Sequence, residues 1–317
     1  MTTTDGARQT RLPSWRPGPT RDAILGYLDG IDDIPVEDRV AYIDNDGTLW
    51  CERPRYVQLD FYLDVLKKHV AADPSLAEQE EFAALLSNDA AKIGAIGLSR
   101  IAIALAKLCD GQTPTEFAAD VDDFLDRYRH PTFGSNLDSV VYQPMLELID
   151  ELMAHDFTVG VVTGGGTEFV RRVAPRLYGV PPERVVGTLI GYQLERDDSR
   201  RPVLRRTVSL MGDANEGGAK VGHIQSQLGR APIVAIGNSA GDQQMLEWAQ
   251  AGRHPGLAIL INHDDADREF AYQGEAATFA STEAITDVAN RLGWTTVSMA
   301  SDWVTIFPSA GEETATS

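Results

Sequence analysis

Cysteine, lysine and long apolar runs are scarce in this chain of 317 residues. Its two cysteines, Cys51 and Cys109, are too few for a disulfide framework, and neither lies at a spacing typical of a zinc site. No apolar run approaches the roughly 18 residues that span a bilayer, and residues 1–21 lack the apolar segment of a secretory signal. We therefore expect free thiols in a reducing compartment and a cytoplasmic protein that does not contact a membrane.

The chain also has few positively charged residues for its number of acidic ones. The chain has 28 Lys and Arg residues against 47 Asp and Glu residues, a formal net charge of −19. A surface this acidic repels phosphate backbones, so we expect no nucleic-acid partner. A small anionic substrate is still compatible with this charge, provided that cations gather locally around it.

Strands alternate with helices along most of the chain. The apolar runs that predict strands are 39–43, 158–162, 185–190, 203–207, 232–236, 256–261 and 295–299. The amphipathic segments that predict helices between them are 144–155, 168–177 and 220–228. This alternation predicts an α/β fold, a Rossmann-like parallel sheet with helices on both faces. A long helical segment interrupts the alternation after the first strand.

These patterns predict two structural units and two tails. We expect flexible tails at residues 1–21 and 308–317, which are rich in Thr, Ser, Gly and Pro. The α/β core is predicted to comprise residues 22–55 and 137–307. An inserted, all-helical domain is predicted for residues 56–136.

Two carboxylates follow the first predicted strand, in the sequence DNDGT of residues 44–48. Asp44 and Asp46 are two residues apart, so their side chains project from the same side of the strand end. Two close carboxylates resist joint ionisation unless a cation lies between them. Mg²⁺ suits this position because it prefers oxygen ligands and often takes only one or two carboxylates. Asp, Asn and Gly also form turns without any chemistry, so the interpretation needs partners elsewhere.

Further polar groups follow two other predicted strands. Thr163 and Gly164–Gly166 supply a hydroxyl and close backbone amides that suit an anion, with a plain glycine turn as the alternative. Asn238 and Asp242 supply oxygen atoms for a metal shell, with a helix cap as the alternative. Since ligands of parallel sheets bind beyond the carboxyl ends of the strands, we expect these groups around one crevice. Lys220, the only lysine outside the helical insertion, suits an anion there or is a solvated helix residue.

In this order and spacing, the motif at 44–48, Thr163, Lys220 and the motif at 237–242 resemble the phosphatase branch of the haloacid dehalogenase superfamily. The chain looks most similar to the phosphoserine-phosphatase-like hydrolases. The resemblance implies that the helical insertion is a cap of type C1. It also implies a Mg²⁺-dependent phosphomonoester hydrolase that acts on a small phosphorylated metabolite through an aspartyl-phosphate. Phosphoserine phosphatase and broad-specificity acid phosphatase are both compatible with it.

The resemblance also implies a role for each catalytic residue. Asp44 would be the nucleophile that attacks phosphorus. Asp46 would protonate the leaving alcohol and then activate the hydrolytic water. Thr163 and the neighbouring amides, such as that of Gly164, would bind the phosphoryl oxygens. Lys220 would neutralise charge on the nucleophile and the phosphate.

For the metal, the resemblance implies ligands from the Asp44 carboxylate, the Asp46 main-chain carbonyl and the motif at 237–242. That motif commonly begins with aspartate, where this chain has Asn238. An amide oxygen still ligates Mg²⁺ but removes one negative charge from the shell. Asp242 would then bind the metal directly or through water.

Residues just after the first motif are candidates for substrate recognition. Related phosphatases carry a glutamate near the position of Glu52 that binds the substrate amine, and Arg53 would suit a second anionic group. A solvated loop acid is the alternative for Glu52. Trp50 would be either a wall of the pocket or a packing residue. Residues 263–265 follow a predicted strand and would either edge the same crevice or form a turn, which is the favoured interpretation.

Two other functions remain compatible with the sequence. A phosphotransferase would use the same aspartyl-phosphate but pass the phosphoryl group to an alcohol. A non-catalytic protein would only bind a phosphorylated metabolite, but such a sensor has no need of the acid/base residue Asp46. The sequence does not indicate an oligomeric state.

Overall fold

The computed structural model describes residues 11–308. In these residues the chain forms eight strands, namely β1 (Val40–Asp44), β2 (Thr158–Gly166), β3 (Val185–Thr188), β4 (Ile190–Arg196), β5 (Pro202–Leu210), β6 (Val234–Gly237), β7 (Leu257–Asn262) and β8 (Thr295–Ser298). Six of them make one parallel sheet in the order β3-β2-β1-β6-β7-β8. The predicted α/β fold with a parallel sheet is confirmed.

Helices cover both faces of this sheet. The helices within residues 11–308 are α1 (Pro19–Leu28), α2 (Val57–Ala72), α3 (Glu80–Leu86), α4 (Ala90–Ile96), α5 (Leu98–Lys107), α6 (Pro114–Arg127), α7 (Gln143–Ala154), α8 (Thr167–Tyr178), α9 (Gly218–Leu228), α10 (Gln243–Gln250), α11 (Ile285–Leu292) and α12 (Met299–Asp302). Alternate residues of β1 face opposite ways: Ile43 packs into a core with α1, α7 and α8, and Tyr42 into a second core with α9, α10 and α11. All five residues of β1 are therefore buried, as a central parallel strand requires.

Helices α2 to α6 form the insertion between β1 and α7. Helix α6 begins with a capping box between Thr113 and Glu116. The ring of Phe61 in α2 contacts Phe117 at 5.5 Å within the insertion and Phe169 of α8 at 5.4 Å outside it. The apolar core thus continues across the predicted boundary, and the division into two domains stays a prediction.

The segment 203–207, predicted as one more strand of the alternation, lies in β5 but outside the parallel sheet. Strand β5 pairs antiparallel with β4 instead, and the amide of Arg206 donates to the carbonyl of Gln112 in the insertion at 2.8 Å. The hairpin turn at 197–201 contains no glycine, so the usual hairpin signal is missing.

The predicted N-terminal tail is wrong for residues 11–21. Leu12 and Trp15 are buried, and the Trp15 ring packs edge-on against Trp303 at 5.8 Å. Their apolar side chains anchor a segment whose prolines indicated a tail. Residues 1–10 of this tail, and residues 309–317 of the C-terminal one, lie outside the described residues.

Both cysteines lie inside the protein. Cys51 and Cys109 are free and buried. Between residues 11 and 308, no helix combines the length and the apolar character needed to cross a bilayer.

Candidate active site

The polar motifs meet at the carboxyl ends of β1, β2 and β6, which are neighbours in the sheet. Asp44 ends β1, and the hydroxyl of Thr48 lies 3.2 Å from Asp44 Oδ2 and 3.4 Å from Oδ1 of Asn238, which follows β6. Gly47 allows this approach: its φ is 76°, and a Cβ there would lie 2.0 Å from the Asn238 amide nitrogen. The sequence predicts that residues at neighbouring strand ends lie around one crevice, and Asp44, Thr48 and Asn238 lie together in the structure.

Lys220 lies between two carboxylates and is only 2% exposed. Its Nζ donates to Asp44 Oδ1 at 2.7 Å and to Asp242 Oδ1 at 2.5 Å. Burial lowers the pKa of Lys220, but Asp242 and Asp44 outweigh it and raise this pKa above its ordinary value. Burial and the charge of Asp242 raise the pKa of Asp44 well above its ordinary value, although Lys220 opposes them. Lys220 therefore offsets the effects of burial and of Asp242 on Asp44 only in part.

Asp46 is held by donors on both of its oxygen atoms. The Trp50 indole donates to Oδ1 at 2.8 Å, while the Thr163 hydroxyl donates to Oδ2 at 3.1 Å and the Asn45 amide to Oδ2 at 3.3 Å. Burial raises the pKa of Asp46, and these three bonds oppose the rise. Asp46, in the loop after β1, and Thr163, in β2, are thus joined directly.

The glycine run forms part of an extended β2, which continues to Gly166 rather than ending at residue 162. The amide of Gly165 donates to Thr163 Oγ1 at 3.0 Å, and that of Gly166 donates to Gln58 Oε1 at 2.8 Å. Two amides predicted to bind an anion therefore have acceptors within the protein. Of the predicted phosphate-binding residues, Thr163 bonds to Asp46 and Lys220 bonds to Asp44, while Gly164 directly follows Thr163 in β2.

Asp242 has partners on both oxygen atoms. Besides the bond from Lys220 to Oδ1, its Oδ2 accepts from the amides of Asn238 at 3.1 Å and Ser239 at 3.0 Å. Asp242 therefore fixes the lysine and the loop after β6. Of the two alternative metal ligands, Asn238 is the one whose side-chain oxygen lies beside the Asp44 side of the pocket.

The candidate specificity residues lie in different surroundings. Glu52 is buried, with Oε1 3.4 Å from the Asn238 amide, and burial and the charge of Asp46 raise its pKa. Arg53 is exposed, and its guanidinium lies 4.4 Å from the centre of the Tyr272 ring. The structure thus places Glu52 beside the pocket and Arg53 at its outer side.

Two further residues hold the site, one that the sequence pattern placed second and one that it missed. His263, for which the pattern favours a turn over a place at the crevice, is buried with Nε2 2.7 Å from the carbonyl oxygen of Gly47 and Nδ1 3.2 Å from Glu269. It directly follows β7, so the strand-end rule that located the other motifs was a signal for it. The side-chain amide of Asn215 donates to the carbonyl of Thr163 at 2.8 Å, and no sequence pattern indicated this contact.

Comparisons with known proteins agree with this architecture. The family model for haloacid dehalogenase-like hydrolases matches residues 41–247. A solved protein of unknown function from Bordetella pertussis Tohama I shares 17% identity, with 82% of this chain and 97% of that chain covered and a TM-score of 0.53. No curated protein matches the chain.

Two further solved structures are more distant. A probable phosphoserine phosphatase from Vibrio cholerae shares 15% identity, over 82% of this chain and 68% of that one, with a TM-score of 0.39. The cytosolic 5′-nucleotidase IIIB bound to cytidine shares 14%, over 84% and 87%, with a TM-score of 0.44. The family model covers well over half of the sequence and includes every motif that meets at the sheet edge, so the chain belongs to the haloacid dehalogenase-like hydrolases.

Proposed function

We propose that the chain is a Mg²⁺-dependent phosphomonoester hydrolase that forms an aspartyl-phosphate on Asp44. One observation carries this proposal: Asp44 lies against Lys220, while Asp46, two residues on, is bonded to Thr163 of the neighbouring strand. A nucleophilic carboxylate, a second carboxylate for proton transfer, a cation and a hydroxyl suit two successive phosphoryl transfers.

The residues fit a magnesium ion. In the described part of the chain no three His, Cys, Asp or Glu side chains form a metal cage, but Mg²⁺ often takes one or two carboxylates plus substrate phosphate. The ligand atoms that Asp44, Asp46 and Asn238 would offer the ion are all oxygen atoms, which Mg²⁺ prefers. When ionised, Asp44, Asp46 and Asp242 exceed Lys220 by two negative charges, which a divalent cation balances. When bound, the ion would supply Lewis-acid stabilisation of charge on the phosphoryl oxygens.

The protein residues then perform two balanced steps. A carboxylate oxygen of Asp44 bonds to phosphorus, the bond to the ester oxygen breaks, and Asp46 gives its proton to the departing alcohol. Asp46 next takes a proton from water as the water oxygen bonds to phosphorus, which releases inorganic phosphate and restores Asp44. Lys220 and the Thr163 hydroxyl stabilise the charge that develops on the transferred group.

We propose a small phosphorylated metabolite as the substrate. The buried carboxylate of Glu52 beside Asn238 supports recognition of an amine, and Arg53 at the outer side supports recognition of a second anionic group. A panel of amine-bearing and neutral phosphate esters separates a phosphoserine-phosphatase-like enzyme from one of broad specificity. A wild-type preference for the amine-bearing esters that disappears in Glu52→Gln would support the phosphoserine-phosphatase-like enzyme.

The central test is hydrolysis of 4-nitrophenyl phosphate with Mg²⁺. We expect chelation to abolish turnover and Asp44→Asn to lower kcat by at least about 10³-fold with an unchanged melting temperature. Asp123→Asn, an exposed carboxylate of the insertion, is the matched control and should retain full activity. Turnover near the wild-type rate in Asp44→Asn would disprove the assignment of the nucleophile.

A further inference from the structure

The two oxygen atoms of Asp46 have different partners. Oδ1 accepts from the indole of Trp50 at 2.8 Å, and Oδ2 faces the hydroxyl of Thr163 at 3.1 Å and the amide of Asn45 at 3.3 Å. The sequence offered Trp50 only as a pocket wall or a packing residue. Its side chain is instead a fully buried donor to the carboxylate that must carry a proton.

Trp50 is fixed in place from several directions. Its ring packs against Phe169 at 6.5 Å and Tyr178 at 6.3 Å, both in α8. Its main-chain carbonyl accepts the amide of Gly47 at 2.9 Å, which closes the loop that carries Asp46. Since ring and main chain are both held, the indole N–H is a rigid donor aimed at one oxygen of the carboxylate.

A rigid indole donor makes the two oxygens chemically unequal. An indole N–H donates and has no lone pair to accept with, so Trp50 favours Oδ1 as the unprotonated oxygen: a proton there would occupy one of its lone pairs and weaken the bond that it accepts from Trp50. The hydroxyl of Thr163 both donates and accepts, so it can reverse its bond when Oδ2 gains a proton. The longer contact from Asn45 constrains Oδ2 less than the 2.8 Å bond constrains Oδ1.

We propose that Trp50 is a positioning residue whose indole N–H holds Oδ1 of Asp46, so that Oδ2 carries the proton in both transfers. This inference rests on the proposed phosphatase function. As the bond from phosphorus to the ester oxygen breaks, the proton moves from Oδ2 to that oxygen, and it returns to Oδ2 from the attacking water. Trp50 itself exchanges no proton and touches no substrate.

The dependence of rate on the leaving group tests this role. 4-Nitrophenolate leaves without a proton, whereas the alkoxide of benzyl phosphate needs one, and general acid catalysis typically contributes about 10²–10⁴-fold. We expect Trp50→Phe to lower kcat/KM for benzyl phosphate by about 10–100-fold and for 4-nitrophenyl phosphate by less than about threefold. Equal losses for the two esters would show a merely structural role and overturn the proposal.

Trp294 provides a matched control, because its indole donates to Gln250 at the same 2.8 Å away from the site motifs. Trp294→Phe should leave the ratio between the two esters unchanged. In Asp46→Asn, which lacks the proton carrier, adding Trp50→Phe should not change that ratio either. A further selective loss in the double variant would mean that Trp50 acts by another route, against the proposal.

A spectroscopic test covers the case in which Trp50→Phe fails to fold. The chain has five tryptophans, whose indole groups give separate ¹H–¹⁵N signals. In Asp46→Ala one indole proton should move upfield and exchange faster with solvent; if none responds, the proposal is wrong. A wild-type enzyme that hydrolyses neither ester would refute the proposed function and this inference together, whereas hydrolysis with unaltered selectivity in Trp50→Phe refutes this inference alone.

Discussion

The sheet edge and the helical insertion of residues 57–127 handle charge in opposite ways. At the sheet edge, Lys220 is 2% exposed and bonds to two buried carboxylates. In the insertion, Arg127 also bonds to two carboxylates, those of Asp64 and Asp123, but half of its side chain is exposed. Breaking a buried pair leaves an uncompensated charge out of water, while an exposed pair contributes little. The same ion-pair pattern thus accompanies the buried candidate site in one region and a solvated surface in the other.

The largest effect should come from Lys220→Met, which leaves Asp44 and Asp242 without their shared ammonium group. We expect kcat to fall by at least about 10³-fold and the free energy of unfolding to fall by about 3–5 kcal/mol at pH 8. Lys68→Met removes an exposed lysine that also bonds to two carboxylates, and should leave activity intact. Urea unfolding and steady-state kinetics of both variants measure the difference.

The stability of Lys220→Met should also depend on pH with a defined sign. Burial raises the pKa of Asp44 in the folded protein and Lys220 opposes this rise, so the folded variant, which lacks Lys220, keeps the Asp44 proton to a higher pH than the folded wild type does. Stability from such a group is present at low pH and is lost as the pH rises through the folded-state pKa. As the pH falls from 8 to 5, the melting temperature of the variant should therefore approach that of the wild type. A constant difference between the two melting temperatures would contradict the raised pKa of Asp44.

The next effect concerns the junction between the two regions. Phe61→Ala removes a buried ring that contacts Phe124 in the insertion and Phe169 in α8, and should cost about 3–5 kcal/mol of stability. Phe279→Ala, at an exposed phenylalanine, is the control and should change little. Because the core is continuous, we expect a single unfolding transition in wild type. Separate transitions for the insertion and the sheet would show that the two regions fold independently.

Two smaller effects distinguish a loss of activity at the sheet edge from a loss of stability in the insertion. Thr163→Val removes the hydroxyl that bonds to Asp46, and should lower kcat/KM by about 10–100-fold. Thr113→Val makes the same change at the capping box of α6, and should cost about 1 kcal/mol of stability without loss of turnover. The opposite outcome, an inactive Thr113 variant, would mean that the insertion contributes directly to the chemistry.

Much of the candidate site could be placed from sequence because strand ends locate it. Asp44 ends β1, Asn238 follows β6 and Thr163 lies near the carboxyl end of β2 between them and the sheet edge β3, while the family resemblance supplied Lys220 from α9. Gln58 could not be placed in this way, since it reaches Gly166 from a helix 108 residues earlier in the chain. Contacts of this kind depend on how the insertion docks, which no local pattern encodes.

The burial of each strand explains which parts of the fold could be predicted from the sequence and which could not. Buried parallel strands form continuous apolar runs, so β1 and β7 were evident. The hairpin of β4 and β5 was not, because its strands are largely exposed and its turn has no glycine. Trp15 was missed for a different reason: a single apolar anchor between prolines leaves no periodicity to detect.

The smallest effect should come from Arg127→Ala in the insertion. Arg127 and Lys68 lower the pKa of Asp123 to about 2, so the cluster stays ionised at pH 5 as well as at pH 8. Exposed pairs are nevertheless screened by water and salt. We expect the melting temperature to fall by no more than about 2 °C, with full turnover. The difference should disappear in 1 M NaCl, because the Debye length is then about 3 Å. A larger, salt-independent loss would place Arg127 in the same class as Lys220 and remove the contrast between the two regions.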